Sequence, residues 1–255
     1  TTRTLATYSY ELNNKKAPFD NVNIRKALNL SLDRNVITDK VLGQGQTPTY
    51  VFTPTYIEEG HLIQQPAYSK EPMAQRNEEA IKLLEEAGYS KANPLKFSIL
   101  YNTNENHKKV AIAAASMWKA NTKGLIDVKL ENQEWKTYID SRRAGRYDAA
   151  RAGWNADYNQ ATTFGNYFLS NSSNNTAKYA NPEYDKAIAE SYAATDAEGR
   201  AKAYAKAEEI LAKDFGIVPI FNYVNPRLVK PYVKGYSGKD PQDHIYLRNL
   251  YIIKH

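Results

Sequence analysis

The sequence predicts an α/β layered architecture, and three observations carry that expectation. Apolar stretches of period two alternate along the chain with stretches of helical period. Turn and capping residues fall between them. The hydrophobic fraction of 42% and charged fraction of 24% are those of an ordinary globular domain, and 255 residues can bury a substantial core.

Each element has its own signal. Thr4 to Leu12 alternates like a strand and stops at the turn residues Asn13-Asn14. Asp20 is placed to cap a helix carrying Ile24, Ala27 and Leu28 on one face. Arg34 to Leu42 reads as a second helical piece, closed by Gly43 in the left-handed conformation. Gln44 to Pro72 holds Pro48, Pro54, Pro66 and Pro72 and reads as a long irregular excursion, of the functional or flexible kind. Ala74 to Ala87 is helical, with Ala80, Ile81, Leu83 and Leu84 inward and Gly88 closing it. Leu95 to Tyr101 is a strand, Val110 to Ala120 a helix ending near Gly124, and Ile126 to Leu130 another strand. Glu134 to Ala144 returns to helix, and Tyr147 to Gly153 is a short buried strand. Ser170 to Asn175 is a polar loop, and Asn181-Pro182 opens a helix with proline at the first helical position. Asp196 to Lys213 is a long Ala-rich helix, followed by a strand from Ile217 to Tyr223. Beyond Arg227, Pro231, Gly235, Gly238 and Pro241 interrupt the chain before a strand-like Tyr246 to Ile253. Strands joined by helices imply parallel crossovers, with ligands gathered beyond the carboxyl ends of the strands. That directs attention to Tyr101-Asn102, Glu131 to Trp135 and Arg151 to Asp157.

Composition excludes several classes. No apolar run approaches the ~20 residues of a membrane span. The opening Thr1-Thr2-Arg3-Thr4-Leu5 is polar, which leads us to expect a processed or engineered start. Cysteine is absent, removing disulfides, thiolate chemistry and cysteine-based metal sites, and fitting an oxidising compartment. The net charge of +6 is dispersed among 28 acidic residues with no dense basic stripe, so no nucleic-acid partner is expected. The 20 tyrosines, against 7 phenylalanines and 3 tryptophans, offer flat apolar faces with polar tips, useful for varied ligands or at the edge of a core.

Catalytic and cofactor patterns are missing. There is no G-x-S-x-G elbow and no H-E-x-x-H helix. Gly43-Gln44-Gly45 lacks a third glycine, and Gly235-Tyr236-Ser237-Gly238-Lys239 is too short for a phosphate loop. His61, His107, His244 and His255 show no ligand spacing, while Glu78-Glu79 and Glu208-Glu209 read as solvated helix faces. The chain is expected to be no enzyme and to hold no cofactor or metal. The densest constellation is Arg151-Ala152-Gly153-Trp154-Asn155-Ala156-Asp157-Tyr158, which brings a cation, a large aromatic and an anion to the end of a buried strand. Two readings stand equal on these residues: a site for a zwitterion such as a peptide, or an Arg151–Asp157 ion pair beside a packed Trp154.

A family resemblance separates them. The run Phe19-Asp20-Asn21-Val22-Asn23-Ile24-Arg25-Lys26-Ala27-Leu28-Asn29-Leu30-Ser31-Leu32-Asp33-Arg34 resembles the signature of the large solute-binding proteins that serve peptide and nickel importers. Gln133-Glu134-Trp135-Lys136, the Arg151 to Tyr158 run, Val229-Lys230-Pro231 and Gly238-Lys239-Asp240-Pro241 resemble its periplasmic oligopeptide-binding branch. The similarity runs from Thr1 to His255 and implies the C-terminal part of a longer, two-lobed receptor. It implies a periplasmic-binding-protein-like lobe with a mixed sheet flanked by helices. Residues 1–5 would be a crossover strand from the N-terminal lobe and 6–218 the C-terminal peptide-binding lobe. Residues 219–255 would be the hinge and return segment into the other lobe.

The resemblance also assigns roles. Asp157 matches the carboxylate that binds a peptide α-ammonium group. Arg151, Arg142 and His107 match cationic positions around the ligand. Trp135, Trp154 and Tyr223 match pocket walls, and Glu11 an acidic position lining a side-chain pocket. Two departures stand out: Leu42 replaces a lysine found in related receptors, and Asn155 sits in the site where some relatives carry cysteine. The implied partners are short peptides, an inner-membrane ABC permease and the missing N-terminal half, in the periplasm. The alternatives are the same fold with a murein peptide, haem or a metal chelate as ligand, or a hydrolase.

Overall fold

The first long apolar alternation becomes the centre of the structure. In the computed structural model, which describes residues 2–240 and 242–254, strand β1 (Thr2–Leu12) lies inside a six-stranded sheet. The expectations attached to Thr1, Pro241 and His255 lie outside the described residues. Helix α1 (Val22–Leu30) and a π-helical turn (Val36–Leu42) come next, then β2 (Thr47–Pro48), α2 (Met73–Glu86), β3 (Leu95–Asn102) and α3 (Glu105–Asn121). Strand β4 (Ile126–Gln133), α4 (Trp135–Arg143) and β5 (Ala149–Asn155) follow. The short α5 (Thr162–Gly165), then α6 (Pro182–Ala193) and α7 (Ala197–Lys213), precede β6 (Ile217–Asn225). The tail holds two-residue strands β7 (Val233–Lys234) and β8 (Tyr251–Ile252), paired with each other.

The sheet order is β2-β6-β1-β5-β3-β4, and it is mixed. β3 runs parallel to β4 and β5, whereas β1 is antiparallel to both its neighbours. Parallel crossovers therefore describe only the β3–β4–β5 part. Strand direction is invisible to periodicity when long helical segments separate the partners. Alternation along β1 builds two layers. Tyr8, Tyr10 and Leu12 join the core made with α1, α2 and α3, while Leu5 joins the core of α5, α6 and α7.

Several boundaries moved for local reasons. Asn21, not Asp20, caps α1, its Oδ1 accepting from the Asn23 amide at 2.9 Å. The segment after Arg34 is π-helical, but it ends as expected on left-handed Gly43 (φ 64°). α3 begins at Glu105, well before Val110, because Asn104 caps it by accepting from Asn106 and His107. That polar first turn carries no apolar signal. Only Tyr251–Ile252 of the expected Tyr246 to Ile253 strand forms one.

Glu208 also departs from expectation. It is 5% exposed, whereas Glu209 is solvated. Its carboxylate accepts from the Phe52 and Thr53 amides and from the Thr53 hydroxyl (2.7 Å), pinning the 44–72 excursion to α7. Burial raises its pKa, offset in part by those hydrogen bonds.

Arg34 is fully buried and replaces solvent for the end of α1. Its Nε donates to Pro219 O (2.6 Å), Nη1 to Asn29 O (3.1 Å) and Nη2 to Asn29 Oδ1 (3.0 Å), and its guanidinium lies 4.1 Å from the Tyr50 ring centroid. A cation at a helix C-terminus also complements the macrodipole. Arg34→Met, which keeps volume but removes every donor, is expected to cost about 3 kcal/mol in urea unfolding. A loss below about 1 kcal/mol would show that water or neighbours replace those bonds.

Candidate ligand-binding cleft

The sheet topology creates one polar end. Because β5 and β6 are antiparallel to β1, their carboxyl ends flank the start of β1. The parallel β3 and β4 end on the same side as β5 and lead into α3 and α4. An open cleft of about 510 Å³ lies there. Its walls come from the start of β1, the end of β5 (Gly153, Asn155, Ala156) and the end of β6 (Tyr223, Asn225). His107 from the first turn of α3, Trp135 from the start of α4, and Gln242 and Asp243 from the tail complete it.

Arg151 is the electrostatic centre of this cleft. Its Nη2 donates to the Tyr223 hydroxyl at 2.6 Å, Nη1 reaches Asn102 Oδ1 at 3.5 Å, and its guanidinium sits 5.2 Å from the Tyr8 ring centroid. Nε is buried without a protein partner. These partners are neutral, and no carboxylate pairs with Arg151 among the described residues. The Arg151–Asp157 ion pair is thus not formed. Gly153 allows this packing, since a Cβ there would stand 2.8 Å from Arg151 Nη2 and 3.2 Å from the Tyr223 hydroxyl. Tyr138 on α4 donates to the Arg151 carbonyl, fixing the strand beneath the side chain.

His107 packs 5.5 Å from the Tyr8 ring, and its Nδ1 is buried without a partner. Burial, with Arg151 adding to it, depresses its pKa from 6.5 to about 3, so at neutral pH the ring is uncharged. The expected cationic position is a neutral imidazole in this state. Trp135 is 56% exposed and lies against Tyr138. Asn155 is exposed, and Tyr223 is partly buried beneath Arg151. Asp157 is exposed immediately after the cleft-lining Ala156, its Oδ2 accepting from Thr163 Oγ1 at 3.4 Å.

The other three candidates lie behind this wall. Trp154 donates from Nε1 to Thr163 O (3.0 Å) and packs on Tyr167. Glu11 and Arg142 form a buried ion pair at 3.0 Å, with side chains 0% and 9% exposed. Tyr167 (2.7 Å) and Thr176 donate to the carboxylate, and Arg142 donates in turn to the oxygens of Thr176 (2.9 Å) and Tyr167 (3.2 Å). Burial alone would lower the Arg142 pKa, but Glu11 raises it well above its ordinary value. Sequence reasoning missed Tyr8 and Gly153 as cleft residues. Tyr8 is visible only as part of an apolar alternation, and Gly153 only as a glycine inside a strand.

Two outcomes follow from this geometry. Glu11→Gln leaves a buried guanidinium without its counter-charge and is expected to cost about 3–5 kcal/mol in denaturant unfolding. Near-neutral behaviour would show the site to be hydrated. For His107, the unfolded state binds a proton more readily than the folded one. Its stabilising contribution is therefore complete above about pH 6.5 and is lost as pH falls toward 3. The melting temperature should fall with acidification over that window, and less steeply in His107→Asn. An imidazole NMR titration with a midpoint near 6.5 would contradict the burial.

Comparison with known proteins agrees with this architecture. A family model for bacterial extracellular solute-binding proteins, family 5 Middle, matches residues 1–176. The periplasmic oligopeptide-binding protein OppA of Haemophilus influenzae is 98% identical over 254 residues, covering 100% of this chain and 47% of that protein. OppA of Salmonella typhimurium is 55% identical, covering 98% of this chain and 46% of its own. The chain spans about half the length of these curated relatives. A crystal structure of Haemophilus influenzae OppA in complex with RPPGFSPFR superposes with a TM-score of 0.93 at 98% identity, covering 99% of this chain and 49% of that one. The Escherichia coli murein tripeptide-binding protein MppA gives 0.90 at 43% identity, covering 100% and 50%. With a mixed sheet flanked by helices in common with these structures and a family match over most of its length, this chain belongs to the bacterial extracellular solute-binding proteins of family 5.

Proposed function

We propose that this chain is the C-terminal part of a periplasmic receptor that binds short peptides with little sequence selectivity and delivers them to an inner-membrane ABC importer. The observation that carries the reading is the fit to a 98%-identical relative solved with the nonapeptide RPPGFSPFR, at a TM-score of 0.93. In this reading residues 6–218 are the peptide-binding lobe, residues 1–5 the incoming crossover, and residues 219–255 the hinge and return segment. Arg151 meets a peptide carboxylate or acidic side chain, because it is a cation with only neutral partners facing the cleft. The exposed carboxylate of Asp157 meets the α-ammonium group. Trp135, Tyr223 and Asn155 supply flat and polar wall, and His107 stands beside Arg151. Glu11, Arg142 and Trp154 hold that wall from behind. The role is binding and release, without catalysis.

Exposed apolar side chains support an absent opposing body. Leu228 (104%), Leu247 (75%) and Ile252 (69%) lie on the tail, where solvent contact is unfavourable. A murein peptide is the second ligand to weigh, since MppA of Escherichia coli is 44% identical over 98% of this chain. It is less favoured at that identity than the oligopeptide reading at 98%.

Closure of two lobes on the ligand makes both sets of contacts necessary. Calorimetry with trilysine is expected to give micromolar or tighter binding (about −8 kcal/mol) to a two-lobed receptor carrying this chain, and little heat with the isolated 255 residues. Tight binding by the isolated chain would overturn the half-receptor reading, and none by the whole receptor would overturn the function. Arg151→Leu should weaken peptides with a free carboxylate by roughly 10- to 100-fold, and their C-terminal amides less.

A further inference from the structure

The cleft holds a mismatch that its ligand could resolve. Arg151 carries a charge without a carboxylate partner, and His107, against the same Tyr8 ring, carries none. The imidazole lies in the first turn of α3, where the helix N-terminus disfavours added positive charge. Nδ1 is sealed from solvent without a protein acceptor or donor.

The surrounding groups keep it that way. From β1 the neighbour is Tyr8, whose hydroxyl is buried and whose pKa burial raises far beyond neutrality. From β5 it is the Arg151 guanidinium, and from β6 the Tyr223 hydroxyl bonded to that guanidinium. α4 contributes uncharged Trp135. Glu105 and Lys108, beside His107 on α3, are solvent-exposed. The carboxylate that lines the cleft, Asp243, is tied to Asn225 and Arg227.

We propose that capture of a peptide carboxylate in this cleft is coupled to uptake of one proton by His107, which then serves as the second cation of the anion site. The inference rests on the peptide-receptor reading and deepens it. A carboxylate placed against Arg151 cancels the repulsion that keeps the ring neutral, and offers the protonated ring a charge-assisted hydrogen bond. The proton comes from the buffer, and no covalent bond forms. Reciprocity then requires that protons strengthen peptide binding, as the peptide strengthens proton binding.

The test is calorimetry of tetraalanine on a two-lobed receptor carrying this chain, in pairs of buffers with different ionisation enthalpies. If the ring regains its ordinary pKa of about 6.5 in the complex, uptake is about 0.9 proton near pH 5.5 and about 0.1 near pH 7.5. Affinity should then tighten roughly tenfold from about pH 7.5 to about pH 5.5. The C-terminal amide of the same peptide keeps the α-ammonium group and should show neither effect. His107→Asn should abolish the uptake and flatten the pH dependence of the free acid. Binding with buffer-independent enthalpy at both pH values overturns the coupling while leaving the receptor reading intact. Equal uptake by the acid and its amide, or undiminished uptake in His107→Asn, overturns the assignment to this site. Absence of any binding by the two-lobed receptor overturns the reading and the coupling together.

Discussion

The buried ion pair between Glu11 and Arg142 is the constraint around which the rest of this structure is arranged. Two charges removed from water carry a desolvation penalty that their mutual attraction alone barely offsets. Here the remaining bonding capacity is taken up by Tyr167, Thr176 and Tyr138, which leaves Arg142 Nε as the orphan of the group. Such a network tolerates one geometry and few others. It therefore locks the end of β1 to α4 and to the segment after α5. α4 carries Trp135 at its first turn and Tyr138 one turn later, so the same lock sets where the cleft wall stands and which carbonyl of β5 is held.

From that frame the cleft gains its electrostatic character. Arg151 is surrounded by tyrosine rings and hydroxyls, which solvate a guanidinium without neutralising it. A carboxylate in its place among neighbours would have made a structural salt bridge and closed the site to anions. Arg34 shows the contrasting use of the same residue type. It too lacks a carboxylate, but its bonds go to backbone carbonyls and the Asn29 side chain in a fully dry environment. The two arginines have similar chemistry, and burial decides that one holds the fold while the other is available to a ligand.

Much of the architecture was legible because it follows from periodicity and caps. The alternation in β1, the Asn181-Pro182 start of α6, the Asp196 cap of α7 and the glycine after Leu42 each encode a local free-energy preference. What failed was non-local. Nothing in the spacing of Glu208-Glu209 distinguishes the carboxylate that turns inward to two loop amides from the one that remains in water. Strand direction and the capping choice between Asp20 and Asn21 likewise depend on where the chain returns from, or on one rotamer. For the cleft, recognition of family motifs reached Arg151, His107, Trp135, Asn155 and Tyr223, which do gather on one wall. The same motifs could not separate wall from support. Glu11, Arg142 and Trp154 lie near the cleft in sequence pattern but behind it in space.

That separation bears on how such a cleft can be both selective for charge and tolerant of side chains. The costly electrostatics are fixed in advance, in a sheet whose central strand is buried on both faces and whose ion pair cannot relax cheaply. The surface left to the ligand is then rigid where it reads charge and main chain, at Arg151 and the ends of β5 and β6. It is flat or open where side chains would lie, against the largely exposed Trp135. A rigid cationic anchor lowers the ordering cost of binding without rewarding any particular sequence. An open cleft of this kind leaves ligand charges partly in water, where pairing energies are small. Affinity must come from excluding that water, and an opposing surface closing over the peptide is the physical means of doing so.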